Sequence, residues 1–306
     1  MPVMKKVKFH KMIKTLFLTS RPQFLLLSLS VALLGSAIAL YQGAEWSTSL
    51  FVLISFGAVL SHAAVNMLNE YQDFHSGLDK VTLRTPFSGG SGALPSNPQA
   101  APLVFKTLIG VLGLLVILGG YFISLKGWAL LPLGLVGLLV ILSYTSKITR
   151  WPWVCLIAPG LAFGPLMVLG TYFVWTGTFS ALALALSLVP FFLVNNLLLL
   201  NQVPDLQADR TVGRLNILMK VGLKRGLLIF VSFMLLAFVS LFVTSIAFKL
   251  PDLVWLGLLG ILLGLPMTKI VLQSGENVDK LMPALGMNVI ITLLTPMLIA
   301  AGLFFG

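Results

Sequence analysis

Two short segments hold most of the chemistry available to this chain. The first, NMLNEYQDFHSGLD, runs from Asn66 to Asp79 at the end of a long apolar stretch; the second, NQVPDLQAD, begins at Asn201. In the first, Asn69 and Asp73 share one helix face at i and i+4, and Asp79 lies just past the helix-breaking Gly77. The second repeats the Asn-x-x-x-Asp spacing with Asn201 and Asp205 and extends it one turn to Asp209. Asp73, Asp79, Asp205 and Asp209 are four of only nine acidic residues. Carboxylates gathered in so apolar a chain point to a divalent cation, because hard cations take oxygen ligands and Mg²⁺ usually bridges a few carboxylates to substrate phosphates.

Cations sit beside these acids. Arg210, Arg214, Lys220, Lys224 and Arg225 follow the second motif. Carboxylates for a metal and guanidinium or ammonium groups for the remaining phosphate charge are what a metal-diphosphate site requires. After the first motif comes TPFSGGSGALPSN, whose Gly89-Gly90-Ser91-Gly92 run has no Gly-Lys-Ser/Thr and no βαβ context. Its glycines either bring backbone N–H groups to an anion or form a flexible connector.

The elements that carry these motifs follow from composition. A chain of 306 residues that is 58% apolar and 9% charged has too little charge to cover a soluble surface. It reads as an all-α polytopic membrane protein. Runs of the length that crosses a bilayer core can be placed at about nine positions, about 23–41, 48–68, 102–124, 128–144, 154–175, 180–200, 226–248, 253–272 and 282–304. Residues 1–22 are expected to form a basic cytoplasmic segment and residues 23–306 a single membrane-embedded domain. With the N-terminus inside, all of the 20 Lys and Arg except Lys126 and Lys249 fall in or beside inside segments. That asymmetry is the positive-inside rule and predicts an N-in, C-out orientation, with anionic lipid rather than nucleic acid as the partner of the excess charge. Four spans separate the motifs, so both are expected on the cytoplasmic side.

Simpler readings compete. Acids near helix ends are less costly than acids at a bilayer centre and can be merely solvated. A cation-coupled transporter would also use intramembrane acids, but is expected to hold them at the midplane on broken helices. Here they stand at helix ends on one predicted side. Cys155 reads as core packing. His62 and His75 lack metal-type spacing and read as partners in helix-end hydrogen bonds.

Two facing acidic helix tips would suit two Mg²⁺ ions on a diphosphate ester, with an isoprenoid tail in an apolar groove between helices. At this point the chain resembles the UbiA superfamily of intramembrane aromatic prenyltransferases. Within it, the chain looks like the branch that includes 1,4-dihydroxy-2-naphthoate prenyltransferase of menaquinone synthesis. The resemblance is carried by SRPQFLLLSLSVALLGSA, NEYQDFHSGLD with TPFSGGSGALP, FGPLMVLGTYFVWTGT and NQVPDLQADRTVGR. It implies a multi-pass enzyme of the cell inner membrane, its site facing the cytoplasm, that transfers a polyprenyl group from an allylic diphosphate to an aromatic quinone precursor. Dihydroxynaphthoate is the first choice of acceptor, with another phenolic acceptor as the alternative.

The resemblance implies Asn69, Asp73 and Asp79 as the first metal-diphosphate motif and Asn201, Asp205 and Asp209 as the second. Arg214 falls where the family has a basic residue, and Arg84 and Arg210 are further diphosphate candidates. Tyr144 and Lys147 fall in the inside loop that carries a Tyr in the family, and Arg21 matches the entrance to the first span. Three positions depart from the pattern: Glu70 stands where Asp is common, Asn216 where Thr is frequent, and the Leu-Gly-Glu that often opens span five is replaced by WPWVCLIAPG.

Overall fold

The computed structural model describes residues 2–275 and 277–306, with side chains from His10 onward. Lys5, Lys6 and Lys8, which enter the charge asymmetry, have side chains outside the described residues. Helices account for every regular element among the described residues. The longer ones are α1 (Pro2–Thr19), α2 (Leu26–Tyr41), α3 (Thr48–Ser76), α4 (Ala101–Lys126), α5 (Leu131–Ser143), α6 (Pro152–Thr176), α7 (Ala181–Thr211), α8 (Leu223–Ala247), α9 (Asp252–Ser274) and α10 (Val278–Phe305), with short helical turns between them. Seven of these are long and apolar enough to cross a bilayer, and an eighth span arises if the bent pair ending in α2 counts as one. The predicted span at 128–144 is a shorter apolar helix, Trp128–Ser143.

Two differences from the predicted boundaries matter. The basic N-terminal segment is helical over Pro2–Thr19, and the helical run His10–Phe24 turns by 49° into α2 shortly after Arg21, whose backbone is left-handed at φ 51°. Asn97 ties this helix down by donating a buried hydrogen bond to Thr15 Oγ1 at 3.0 Å. In addition, α3 and α7 run on well past the apolar stretches, to Ser76 and Thr211. Both acidic motifs therefore continue their helices.

Helix α7 is the axis of the bundle. In its most apolar window 67% of residues are buried, against 11% for the span that contains α4, which places α7 inside and α4 at the periphery. Packed on α7 are α6, α8, α10 and α2. Apolar contact alone does not orient helices in lipid, whose tails are as apolar as leucine; small residues and buried polar groups do. Gly160 of α6 lies so close to α7 that a Cβ would fall 2.2 Å from the Phe191 carbonyl oxygen, and its N–H donates to Asn195 Oδ1 at 2.6 Å. Asn196 donates to the Phe230 carbonyl of α8 at 2.8 Å, and Asn288 of α10 donates to the Asn196 carbonyl at 3.2 Å. These bonds fix the rotation of α7 and with it the direction of its acidic end.

Candidate functional site

The first motif closes α3. Asn69 and Asp73 occupy its last two turns, the helix stops at Gly77, and Asp79 sits on the tight turn Leu78–Lys80. Asn69 is held from two sides: Arg21 Nη2 donates to its Oδ1 at 3.1 Å, and its Nδ2 donates to Thr145 Oγ1 at 3.1 Å. Arg84 braces the turn by donating to the Asp79 carbonyl oxygen at 2.8 Å.

The second motif closes α7, with Asn201, Asp205 and Asp209 on successive turns of the helix. Arg214 joins the two motifs. Its Nη2 donates to Asp73 Oδ1 and its Nη1 reaches Asp209 Oδ1 at 3.4 Å. The backbone presents it there, since Arg214 N–H donates to the Asp209 carbonyl at 3.1 Å and Leu215 N–H to the Thr149 carbonyl at 3.0 Å. Burial works against the Arg214 charge, but Asp73 and Asp209 more than offset this and hold the guanidinium protonated.

Between the helix ends lies a cavity of about 140 Å³. Of the residues expected in the site, Arg21, Asn69, Asp73, Asp79, Tyr144, Asn201, Asp205, Asp209 and Arg214 line it. Arg84, Lys147 and Arg210 do not; all three are exposed, and Arg84 acts through the Asp79 turn. Residues not expected in the site also enter: Gln202, next to Asn201 in the second motif, and Thr149, Cys155 and Asn216 line the same cavity. Cys155, expected as core packing, is buried but faces the site, where Gln202 Nε2 approaches its Sγ at 3.6 Å. Asn216 caps the short helix Ile217–Val221 by accepting from Met219 N–H at 3.1 Å, a task a Thr in its place would also perform.

The chemistry of the lining suits a hard cation. Asp79 Oδ2, Asn201 Oδ1, Asp205 Oδ1 and Gln202 Oε1 are buried without a hydrogen-bond donor. A buried oxygen acceptor left unpaired costs about 1–3 kcal/mol, more for a charged group, so several around one cavity mark a place built for cationic or hydrogen-bonding company. Among the described residues no three His, Cys, Asp or Glu side chains form a closed metal cage. The acids are spread around the cavity wall, the arrangement expected if a substrate phosphate completes the coordination. Burial, then the charges of Glu70 and Asp73, push the Asp79 carboxyl up to about 6.

Glu70 has a different task from its neighbours. It is fully buried, and it accepts from Arg21 Nε at 2.8 Å, Ser91 N–H at 2.7 Å and Ser91 Oγ at 2.7 Å. The glycine-rich segment is thus pinned to α3 instead of hanging as a free connector. Gly90 lines the cavity at φ 76°, and a Cβ there would meet Asp79 Oδ1 at 3.0 Å and Glu70 Oε1 at 3.3 Å. The extra methylene of Glu relative to Asp supplies the reach to Ser91.

A second cavity of about 100 Å³ adjoins the first, sharing Arg21, Phe87, Leu198 and Asn201 with it. It is mostly apolar, and His62 lines it. The histidine expected to make a helix-end bond is instead buried in the middle of α3, with Nδ1 unpartnered and its ring edge-on to Phe163 at 4.8 Å. His75 does pair at the helix end, with the Tyr71 carbonyl at 2.8 Å.

Comparison with known proteins agrees with this architecture. A 1,4-dihydroxy-2-naphthoate octaprenyltransferase of Bacillus subtilis (strain 168) is 27% identical over 208 residues, 67% of this chain and 65% of that protein, so the match spans just under two thirds of the relative. A protein of the same name from Haemophilus influenzae (strain ATCC 51907 / DSM 11121 / KW20 / Rd) is 22% identical over 306 residues, 98% of this chain and 99% of that one. Two solved structures share the fold: a UbiA homolog from Aeropyrum pernix K1 superposes with a TM-score of 0.65 at 19% identity, covering 92% of this chain and 97% of that one. A UbiA homolog from Archaeoglobus fulgidus, solved bound to GPP and Mg²⁺, also gives 0.65 at 16% identity, covering 94% and 99%. The model of the UbiA prenyltransferase family matches residues 28–303, nearly the whole bundle including both acidic helix ends, and the chain belongs to that family.

Proposed function

We propose that this protein transfers a polyprenyl group from an allylic diphosphate to an aromatic quinone precursor, 1,4-dihydroxy-2-naphthoate as first choice, at the cytoplasmic face of a cell membrane. The observation that carries the reading is the convergence of both Asn-x-x-x-Asp motifs on one cavity with Arg214 between them. The names of the Bacillus and Haemophilus relatives and the GPP and Mg²⁺ held by the Archaeoglobus homolog support it.

Asn69, Asp73, Asp79, Asn201, Asp205 and Asp209 would hold Mg²⁺, two ions in our reading, through the oxygens that face the cavity. Bound there, the metal supplies positive charge that neutralises a diphosphate and makes it a better leaving group. Arg214 is placed to meet the phosphate charge that remains, and Arg21 lies at the boundary with the second cavity. In the reaction the allylic C–O bond breaks, a ring carbon of the acceptor forms the new C–C bond, and that carbon loses its proton. Buried, preoriented groups stabilise such charge separation better than water does, because they need not reorganise. Residues 1–22 would act as a basic surface anchor beside the domain formed by residues 23–306, and the charge asymmetry would set the N-in orientation.

The test is incubation of purified protein with Mg²⁺, a set of prenyl diphosphates and a panel of aromatic acceptors, with products identified by mass. Asp73→Ala and Asp205→Ala should each abolish transfer while the protein still inserts and folds. Full activity in either variant would remove the proposal, and cation-coupled uptake into proteoliposomes without a prenyl donor would replace it with transport.

A further inference from the structure

The second cavity holds a polar group that the donor chemistry does not use. His62 is 7% exposed, sits mid-helix, and its Nδ1 has no protein partner. Asn201, whose Oδ1 the cation reading already uses, also lines this space from α7. Arg21 borders both cavities; its Nε and Nη2 are engaged by Glu70 and Asn69, which leaves Nη1. The remaining wall is mostly apolar, with Phe163 presenting its ring to the imidazole; of its other polar side chains, Asn66 and Thr292 already donate to the Ser20 and Asn288 carbonyls, and Gln23 is exposed.

An isoprenoid tail in this chamber would satisfy neither His62 nor the free arm of Arg21, and each would remain desolvated and unpaired. A planar hydroxylated aromatic acid satisfies His62 and Arg21 together. Its hydroxyl pairs with the imidazole, its acid group with the free arm of Arg21, and its ring with the aromatic and aliphatic wall. From there a ring carbon faces the acidic cavity through the residues the two spaces share.

We propose that His62 is the residue that selects the acceptor, hydrogen-bonding the hydroxyl of an aromatic acid seated in the second cavity. This rests on the prenyl-transfer reading. A site built around a buried hydrogen-bonding group discriminates strongly against analogues that lack the partner, whereas a purely apolar pocket does not.

The experiment uses full-length protein with Mg²⁺, one prenyl diphosphate and 1,4-dihydroxy-2-naphthoate, and measures KM for donor and acceptor separately. His62→Phe keeps an aromatic ring against Phe163 but removes the hydrogen bond. It should raise the acceptor KM by about tenfold, the upper end for one neutral bond, and leave the donor KM within about twofold. His62→Gln, which restores a hydrogen-bonding group, should recover most of that loss. An unchanged acceptor KM in His62→Phe, or a donor KM that rises as much, would overturn the inference while leaving the reaction standing. A second arm needs only wild type: 2-naphthoate should inhibit about tenfold more weakly than 1-hydroxy-2-naphthoate, and equal inhibition would overturn the inference even if both variants failed to fold. Absence of transfer by wild type to any member of the acceptor panel would instead strike the prenyl-transfer reading itself.

Discussion

Among the described residues Arg214 is the one side chain that ion-pairs with both acidic motifs, and removing it tests whether the two helix ends are held together by charge. Its side chain is 15% exposed, and those of Asp73 and Asp209 are 9% and 11% exposed, so solvent screens the group little. Hydrogen bonds to charged groups contribute about 1.5–3 kcal/mol each, and breaking a buried ion pair by deleting one partner costs about 3–5 kcal/mol. The Asp209 contact is long at 3.4 Å, which places the sum for both in the range of about 3–5 kcal/mol. Arg214→Ala should therefore lower the unfolding temperature of the metal-free protein clearly. Arg214→Lys should lose about half as much, because a single ammonium lacks the planar fork that reaches two carboxylates at once.

Added Mg²⁺ sharpens the test. Without Arg214 the Asp73 and Asp209 carboxylates lose the cation they share, and a divalent cation should stabilise the Ala variant more than wild type; a protein that binds it gains about 2.7 kcal/mol in all at a hundredfold excess over its Kd, so the difference between the two is smaller than that. The assay is thermal unfolding in detergent at one fixed scan rate, with EDTA and with Mg²⁺, since membrane protein unfolding is seldom reversible. If Arg214→Ala unfolded at the wild-type temperature in EDTA, or if Mg²⁺ shifted both proteins equally, Arg214 would not be the bridge described above.

Three further outcomes are expected. Glu70→Ala should free the segment around Ser91 and destabilise the protein by about 3–5 kcal/mol, because Arg21 loses its buried partner; faster proteolysis between Lys80 and Ser96 would report it, and Glu70→Asp should be intermediate because its reach is shorter. Gly90→Ala should impair transfer by roughly tenfold or more and weaken folding by about 1–2 kcal/mol, since an L side chain is strained at φ 76° and its Cβ presses on Asp79 and Glu70; wild-type kinetics would contradict this. The Asp79 carboxyl, raised to about 6 from the ordinary 3.8, binds its proton more tightly in the folded than in the unfolded chain. In metal-free buffer its contribution to stability is therefore fully present below about 4 and is lost as pH rises through about 6. Asp79→Asn should flatten that part of the stability profile, and an unaltered slope in the variant would refute the assignment.

The polytopic helical architecture, the two acidic motifs and their meeting at one end of the bundle were legible in the chain itself; the count was not, since about nine spans were expected and, among the described residues, seven or eight helices are long and apolar enough, the run at 128–144 folding as a shorter apolar helix. Hydropathy marks what must leave water, the i, i+4 spacing puts Asn69 with Asp73 and Asn201 with Asp205, and an even count of spans returns the second motif to the side of the first. Periodicity stops at the surface of each helix. It cannot say how α3 and α7 are rotated against their neighbours, which depends on contacts such as Gly160 with Asn195 and Asn196 with Phe230. Only the packing of α3, α6 and α7 turned His62 and Cys155 toward cavities and gave Glu70 its partners Arg21 and Ser91. The resemblance singled out Arg214 with Arg210 as a further candidate, but packing alone set Arg214 between Asp73 and Asp209 and left Arg210, in the last turn of α7, exposed. Sequence set which groups the molecule possesses and at which end they stand; the packed helices decided which of them meet, because a buried charge stays only where a partner is within reach.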